Sequence, residues 1–486
     1  MPVAFQCINE QMFDVSPDDI RTGSIPKVLV ALAAPLVVQN LVQVVQQVVD
    51  AFWLGRIGEA ELGAVGLVTP LTSVLVALAV VGPMVGAHVV VSQRVGADQE
   101  RSARRAAFNG VVLTFLFGTA AALLAFFFAD PLVRAIATVD PDARAVEPAI
   151  TYFAAYAPVF LFMGLSDSLE AGFLGWGDTR ATLYVNVTAV AVNVVLDPVL
   201  IFGYGVPGFG GLAVTGAALA TAAGYAASFL LVLALALGLR GTFQLTRADA
   251  RLSLSDCREL LAVGWPNAGQ RVAQDAVRIV VVVLVFVAGG TAGLAAYVIG
   301  ARVASVAFIP ASGLQQAAQS MIGQNLGAGH TDRARSTTWT GVAIAVAMLT
   351  LAGAVQWVVP EALATVFVPD IAPQALTYTV DYLQILALGY WAIGAGYLLR
   401  GGFNAARRTK TSMVASLMQY WGVRLPIAAA GVYLLGGGVQ SVFWAVTLSN
   451  VAVALGLAAY YWYETSDGML ERAAAKASDA AAESAG

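Results

Sequence analysis

The sequence has few charged residues. Only 12% of its 486 residues are charged, whereas 59% are hydrophobic. Soluble domains are about a quarter charged, so this chain lacks the polar side chains needed to cover a water-facing surface. Its apolar runs are long enough to cross a bilayer, which takes about 20 helical residues. The scarcity of charge predicts an integral membrane protein.

Cysteine, histidine and catalytic motifs are also scarce. Cys7 and Cys257 fall outside the apolar runs, and nothing in their spacing suggests a disulfide or a metal site. His88 stands alone, where a helix contact is a more common role than a proton relay. No Walker A, HExxH or GxSxG pattern is present. A Gly-x-Gly-Asp pattern at 175–178 matches that of intramembrane aspartyl proteases, but it falls in a predicted turn and has no Tyr-Asp partner elsewhere in the chain.

These absences predict that the protein is not an enzyme and that it has no cofactor. Nucleic acid is not expected as a partner. Without a nucleotide site, any uphill transport has to draw on an ion gradient. The start of the chain also lacks the basic-then-apolar pattern of a signal peptide.

The apolar runs predict an all-α integral membrane fold with twelve transmembrane helices. The predicted spans are 26–54, 62–90, 107–128, 146–170, 181–203, 211–239, 259–288, 292–322, 337–359, 373–399, 411–435 and 438–463. The predicted organisation is a cytoplasmic segment at 1–25, an N-lobe at 26–240, a cytoplasmic linker at 241–258, a C-lobe at 259–463 and a disordered cytoplasmic tail at 464–486.

Basic residues lie mostly on one side of the predicted membrane. Nineteen of them fall in the termini and the loops after even-numbered spans, three fall in the opposite loops, and four lie within spans. The positive-inside rule then places both termini in the cytoplasm. The prediction is a multi-pass protein of the cell membrane.

The two halves of the sequence resemble each other. The segment SQRVGADQERSARR after span two recurs as GQNLGAGHTDRARS after span eight, 231 residues later, and Pro35 in span one has a counterpart in Pro266. Each half holds six spans, so the two copies enter the membrane in the same sense. Such repeats are related by a pseudo-two-fold axis along the membrane normal and are typical of alternating-access transporters.

Span one carries a polar stripe. Steps of three and four residues place its glutamines and a carboxylate on one helical face, which has to meet protein or water rather than lipid. Pro35 precedes the stripe, removes a backbone hydrogen bond and permits a bend. The stripe consists of Gln39, Gln43, Gln46, Gln47 and Asp50.

Span five places Asn193 and Asp197 on one face, and Thr215 and Tyr152 lie at a similar depth on spans six and four. At 1.5 Å per residue, Asp50, Asp197, Thr215 and Tyr152 sit roughly 6–10 Å below the outer interface. This shared depth predicts a coupling-ion site at Asp50, Asn193, Asp197 and Thr215, with Gln43, Gln47 and Tyr152 as cavity or supporting residues. The alternative is a hydrogen-bond cluster that only holds the helices together.

The residues leave the coupling ion open. Oxygens of Asp50, Asn193, Asp197 and Thr215 can ligate Na⁺, and the same carboxylates can take up a proton. The second half of the chain has valines where the first has Asp50. Its own ionisable residues at 271, 275 and 278 are spaced to pair along one helix. Arg302, Asp381 and Arg424 have no assigned role.

Several motifs, taken together, resemble those of the multidrug and toxic compound extrusion (MATE) transporters, in particular their DinF-like branch, across roughly 25–465. They are Pro35, the Asp-x-x-x-x-Gly-Arg-Ile-Gly at 50–58, the Gly-Asp-Thr-Arg at 177–180, the Asn-x-x-x-Asp-Pro at 193–198 and the Leu-Arg-Gly at 399–401. The absence of a carboxylate at 388–394 favours the DinF-like branch over the NorM-like branch.

The resemblance implies a monomeric antiporter in the lipid membrane that exports amphipathic, mostly cationic drugs against H⁺ or Na⁺. It implies ion binding at Asp50, Asp197, Asn193 and Thr215, and bending of span one at Pro35. The alternative is a flippase of the same superfamily for a lipid or lipid-linked saccharide. A flippase of this kind would need a cationic cavity for a pyrophosphate group. Its basic residues would be ones such as Arg271, Arg278 and Arg302, because the N-lobe spans carry no basic residue away from their ends.

Overall fold

The computed structural model describes residues 15–137 and 144–485, and Cys7 lies outside these ranges. Within the described ranges the chain is built from helices, with no strand. The helices are α1 Pro17–Thr22, α2 Ile25–Ile57, α3 Glu59–Val76, α4 Gly82–Gly96, α5 Glu100–Phe127, α6 Ala129–Ile136, α7 Val146–Ala155, α8 Ala157–Trp176, α9 Thr179–Phe202, α10 Val214–Ala234, α11 Leu254–Gly327, α12 Thr331–Val358, α13 Pro360–Phe367, α14 Pro373–Ala387, α15 Tyr390–Ala405, α16 Thr409–Leu417, α17 Leu425–Tyr433, α18 Gly438–Ser466 and α19 Met469–Ala485.

The twelve predicted spans all correspond to helical segments. Three spans contain a π-helical turn, at Ala77–Val81, Leu235–Leu239 and Met418–Arg424. Spans seven and eight form one helix of 74 residues, α11, with a break at Gly290. Gly290 has φ 59° and ψ −152°, a conformation that a residue with a Cβ rarely adopts.

The described helices are long and apolar enough for a membrane protein. Nine of them meet the length and hydropathy expected of a span, and ten do if α14 and α15, which are bent by 52°, count as one. The remaining difference from twelve arises because α11 holds two predicted spans and span eleven is divided into α16, a π-helical turn and α17. The all-α membrane fold is thus confirmed.

The chain divides into two compact units. Unit 1 comprises the described residues up to Val37 together with Gln270–Ala477, and unit 2 comprises the described part of Val38–Gly269 with the end of the chain. The divisions fall inside α2 and α11 rather than in the linker. Both long helices therefore contribute residues to both units.

Unit 2 holds the linker through a buried ion-pair network. Arg94, at the end of α4, bonds to Asp256 at 2.7 Å and to Glu259 at 2.6 Å, and Arg105 on α5 bonds to Asp256 at 2.8 Å. Arg94 and Asp256 are 2% and 3% exposed. Because a buried charge is costly without a partner, this network fixes the start of α11 against α4 and α5.

The tail differs from the sequence prediction. A disordered segment is predicted for 464–486, but α18 continues to Ser466 and α19 runs over Met469–Ala485. Met469, Leu470, Ala473 and Ala477 are buried, and their spacing places them on one helical face. The Ala/Glu composition that suggests a solvated end also favours a helix, and these apolar residues give that helix a face to bury.

Candidate functional site

Two carboxylates of unit 2 face each other, Asp50 half-buried and Asp197 buried. Asp50 lies on α2 and Asp197 on α9, and the carboxyl groups are within hydrogen-bonding reach of one another. Asp197 is 1% exposed. Its Oδ2 atom accepts no hydrogen bond from any described residue. A buried carboxylate oxygen that lacks a donor and faces a second carboxylate is suited to a proton or a small cation.

Asn193 lies one turn before Asp197 on α9 and is fully buried. With its amide in one orientation, Nδ2 donates to Asp197 Oδ1 at 3.5 Å and to Thr221 Oγ1 at 3.3 Å. With the amide rotated, Nδ2 donates to Asp50 Oδ1 at 3.0 Å, and the amide oxygen accepts from the Thr221 backbone N–H at 3.3 Å. In both orientations Asn193 donates to one of the two carboxylates.

Close packing of α9 and α10 brings these side chains together. A Cβ added at Gly216 would lie 2.3 Å from the Leu200 carbonyl oxygen, and one at Gly224 would lie 2.5 Å from that of Ala189. Since real Cβ atoms do not approach so closely, only glycine permits this helix separation. Small residues at helix contacts are common in membrane proteins for this reason.

Thr221, rather than Thr215, bonds to Asn193. Thr215 is half-buried in the first turn of α10 and makes no side-chain hydrogen bond among the described residues. Thr221 lies six residues further along the helix, and its hydroxyl also donates to the Ala217 carbonyl at 3.0 Å. The sequence does not distinguish Thr221 from Thr215, because depth follows from position along the helix and contains no information on the rotation of the helix about its axis.

The supporting residues predicted from the sequence take different positions. Tyr152 on α7 is buried and packs on Tyr156 at 5.6 Å between ring centroids, close enough to Asp50 and Asp197 to be affected by their charge. Gln47 is exposed, whereas its neighbour Gln46 approaches the Asn193 amide. Pro35 lies inside the continuous helix α2, so its role as a bending point stays a prediction.

A second polar network in unit 2 centres on Glu170 of α8. Gln43 Nε2 donates to Asn186 Oδ1 at 2.9 Å, and Asn186 Nδ2 donates to Glu170 Oε2 at 2.6 Å. Ser166 Oγ donates to Glu170 Oε1 at 3.2 Å. Asp167 is close enough for its charge to act on Glu170. Asp167 and Glu170 are not among the site residues predicted above, although two carboxylates three residues apart in an apolar span are a signal that the sequence contains.

Asp178, of the protease-like pattern, has a structural role. Its Oδ1 accepts from the Ala181 backbone N–H at 3.1 Å and so caps α9. Arg240 donates to both oxygens of the same carboxylate, and Thr242 Oγ1 donates to Oδ2 at 2.5 Å. These contacts tie the turn before α9 to the linker, and they account for the aspartate without proteolytic chemistry.

The apolar helices and the sequence repeat define a multi-pass membrane protein built from two related halves. The MatE family model matches the chain twice, at residues 35–199 and 266–430. The two matches are offset by the same 231 residues as the repeated segments, which confirms the duplication. The chain therefore belongs to the MatE family.

Similar proteins cover almost the whole chain. A probable multidrug resistance protein NorM of Burkholderia pseudomallei is 30% identical over 434 residues, covering 87% of this chain and 90% of that protein. An FAD transporter of Shewanella oneidensis is 25% identical over 447 residues, with coverage of 91% and 95%. The structure of a MOP superfamily transporter from Pyrococcus furiosus matches with a TM-score of 0.85 and 21% identity, over 93% of this chain and 98% of that one.

These comparisons confirm the family and the fold. The relatives support a multidrug efflux transporter, and the structural match shows the shared fold. They do not test the placement within the DinF-like branch, which stays a prediction.

Proposed function

We propose that the protein is a secondary active exporter that exchanges amphipathic, drug-like compounds, mostly cations, for H⁺ or Na⁺. The observation that carries the proposal is the pair of facing carboxylates, half-buried Asp50 and buried Asp197, in which Asp197 Oδ2 lacks a donor among the described residues. A centre that only held helices together would be served more cheaply by neutral amides. Two facing carboxylates in a low dielectric instead favour uptake of a cation.

In the proposed cycle, the two carboxylates release substrate in the outward-open state and take up the coupling ion. Neutralisation removes the repulsion between Asp50 and Asp197 and lets α2 bend at Pro35. The bend closes the pocket around the carboxylates and displaces the substrate. Asn193 orients whichever carboxylate it bonds, and Glu170 with Asp167 adds negative charge that suits a cationic nitrogen.

The test uses purified protein in liposomes loaded with a fluorescent cationic dye. Efflux is driven separately by a pH gradient and by a Na⁺ gradient, for the wild type and for Asp50→Asn. We expect one gradient to drive efflux in the wild type and neither to do so in the variant. The matched control is Asp275→Asn, which lies in unit 1 and pairs only with Arg271 among the described residues. Wild-type rates in Asp50→Asn would refute the proposal.

The relative named as an FAD transporter favours a second candidate, export of a flavin nucleotide. The same liposomes loaded with FAD test it directly. Gradient-driven loss of FAD without dye efflux would replace the first candidate. If neither the dye nor FAD leaves the liposomes, a flippase for a lipid-linked substrate becomes the better proposal.

A further inference from the structure

Unit 1 contains a cluster of arginines whose charges have little compensation. Arg271 and Arg278 lie on α11, Arg400 on α15, and Arg424 ends the π-helical turn Met418–Arg424. Of these four arginines, only Arg271 forms a salt bridge to a described residue, to Asp275 at 3.3 Å. Unpaired charges are costly within a membrane-spanning segment, so each of the other three calls for a counter-charge.

Arg400 and Arg424 are joined by neutral side chains. Arg400 Nη2 donates to Gln419 Oε1 at 2.5 Å, and Gln419 Nε2 donates to Asn450 Oδ1 at 2.5 Å. Arg424 Nη2 donates to the same Asn450 oxygen at 3.0 Å. Gln419 and Asn450 are 4% and 8% exposed. A buried chain of amides therefore holds two guanidinium groups near each other without neutralising either.

Both guanidinium groups keep hydrogen-bond donors to spare. Arg424 gives two of its five N–H groups to protein, through Asn450 and through Ser449 Oγ at 3.0 Å from Nε. Arg400 Nε is buried and has no acceptor among the described residues. Planar donors of this kind match the oxygens of carboxylate and phosphate groups.

Aromatic residues border the cluster. The Tyr420 ring lies 4.4 Å from the Arg424 guanidinium carbon, and Tyr297 is within electrostatic reach of Arg278 and Arg424. Tyr297 stacks on Tyr382 at 5.6 Å. Aromatic faces beside guanidinium groups can take the ring system of an amphipathic molecule.

A purely structural role for the arginines is less consistent with these contacts. Interhelical amides alone can join α15, the π-helical turn and α18, without the cost of desolvating two cations. The π-helical turn is itself a feature found frequently at functional sites. The side chain of Arg271 is 58% exposed, and a charge exposed in a span has to face water rather than lipid.

We propose that Arg400 and Arg424 form the centre of an anion-binding site in unit 1, which takes a carboxylate or phosphate group of an amphipathic substrate. Arg278 adds positive charge at its edge. This inference rests on the proposed export function for its role in transport, and it adds zwitterionic and anionic amphipaths to the substrates. The site needs no group from unit 2.

The test is equilibrium binding to the purified full chain in detergent, with no ion gradient. The probes are rhodamine B, which carries a carboxylate, and its ethyl ester, which has the same ring system without that charge. We expect Arg424→Gln to weaken rhodamine B binding about tenfold or more, the effect of losing a charge-assisted hydrogen bond, and to leave ester binding within about twofold. Arg424→Lys should restore part of the loss.

Arg302→Gln is the matched control, because this arginine of the same unit is exposed and has no described contact with the cluster. Unchanged ester binding also reports that a variant is folded. If Arg424→Gln does not fold, Arg278→Gln at the exposed edge replaces it, with a smaller expected loss for rhodamine B alone. Equal losses for both dyes, or none for either, would overturn the proposal.

Competition distinguishes the two anion chemistries. Benzoate that displaces rhodamine B more strongly than phenyl phosphate supports a carboxylate site, and the reverse order supports a phosphate site. Displacement by neither compound contradicts an anion site. Because no ion gradient is used, the binding result does not depend on whether the liposome assay shows transport. Conversely, a failure to bind rhodamine B would not contradict the proposed coupling at Asp50 and Asp197.

Discussion

Asn193→Leu should change the affinity of unit 2 for the coupling ion and also identify that ion. In both amide orientations Asn193 donates to one of the two carboxylates, to Asp197 at 3.5 Å or to Asp50 at 3.0 Å. Leucine has a similar size and no donor. A hydrogen bond to a charged group contributes roughly 1.5–3 kcal/mol, which corresponds to a change of about ten- to hundredfold in affinity.

The direction of the change depends on the ion. Loss of the amide donor destabilises the ionised carboxylates, so a proton should bind at lower H⁺ concentration than in the wild type. Na⁺ would instead lose an oxygen ligand, so half-maximal transport should need a higher Na⁺ concentration. One variant therefore gives opposite shifts for the two coupling ions.

The assay is dye efflux from liposomes, with the half-maximal H⁺ or Na⁺ concentration measured for wild type and variant. Thr215→Val is the matched control, because Thr215 was predicted at the site but makes no side-chain hydrogen bond among the described residues. We expect that control within about twofold of the wild type. A shift below twofold in Asn193→Leu, or an equal shift in Thr215→Val, would refute the assignment of Asn193.

Three further predictions concern the packing and charge of unit 2. Asp256→Ala leaves buried Arg94 with one carboxylate and Arg105 with none, so thermal unfolding in detergent should show a loss of about 3–5 kcal/mol. A smaller loss is expected for Glu259→Ala, since Asp256 then still pairs with both arginines. Gly224→Val should lower the melting temperature and the yield of folded protein, because its Cβ would meet the Ala189 carbonyl at 2.5 Å, whereas Gly66→Ala, with nothing within 4 Å, should be tolerated. Glu170→Gln keeps a polar group near Asn186 but removes a charge, so KM for a cationic dye should rise about tenfold while the choice of driving gradient stays the same. Equal losses of stability in Asp256→Ala and Glu259→Ala would contradict the first argument, and equal losses in the two glycine variants would contradict the second. An equal rise in KM for cationic and neutral dyes in Glu170→Gln would contradict the third.

The membrane class, the twelve spans and the duplication were determined by the sequence alone. Hydrophobic length and a shared offset of 231 residues are properties of the linear chain, so no packing information is needed to read them. Asp50 and Asp197 can also be singled out as candidates from the sequence, because a carboxylate inside an apolar run is costly wherever the helix lies. The free-energy cost of placing a charged side chain in the membrane is enough to single out these two residues.

The partners of those residues were decided only by the tertiary structure. Which of Gln46 and Gln47 approaches Asn193, and whether Thr215 or Thr221 bonds to it, depends on the rotation of each helix about its axis. That rotation is fixed by side-chain packing and by glycine contacts between helices. The pairing of Arg94 with Asp256, 162 residues apart, likewise follows from helix placement.

The same distinction applies to unit 1. The sequence shows arginines within its spans but gives them no common location, and Arg424 had no assigned role. Only the fold brings Arg400 and Arg424 to the same buried amides. The physical reason is that hydropathy depends on residues that are neighbours in the sequence, whereas a binding site is formed by residues that are neighbours in space.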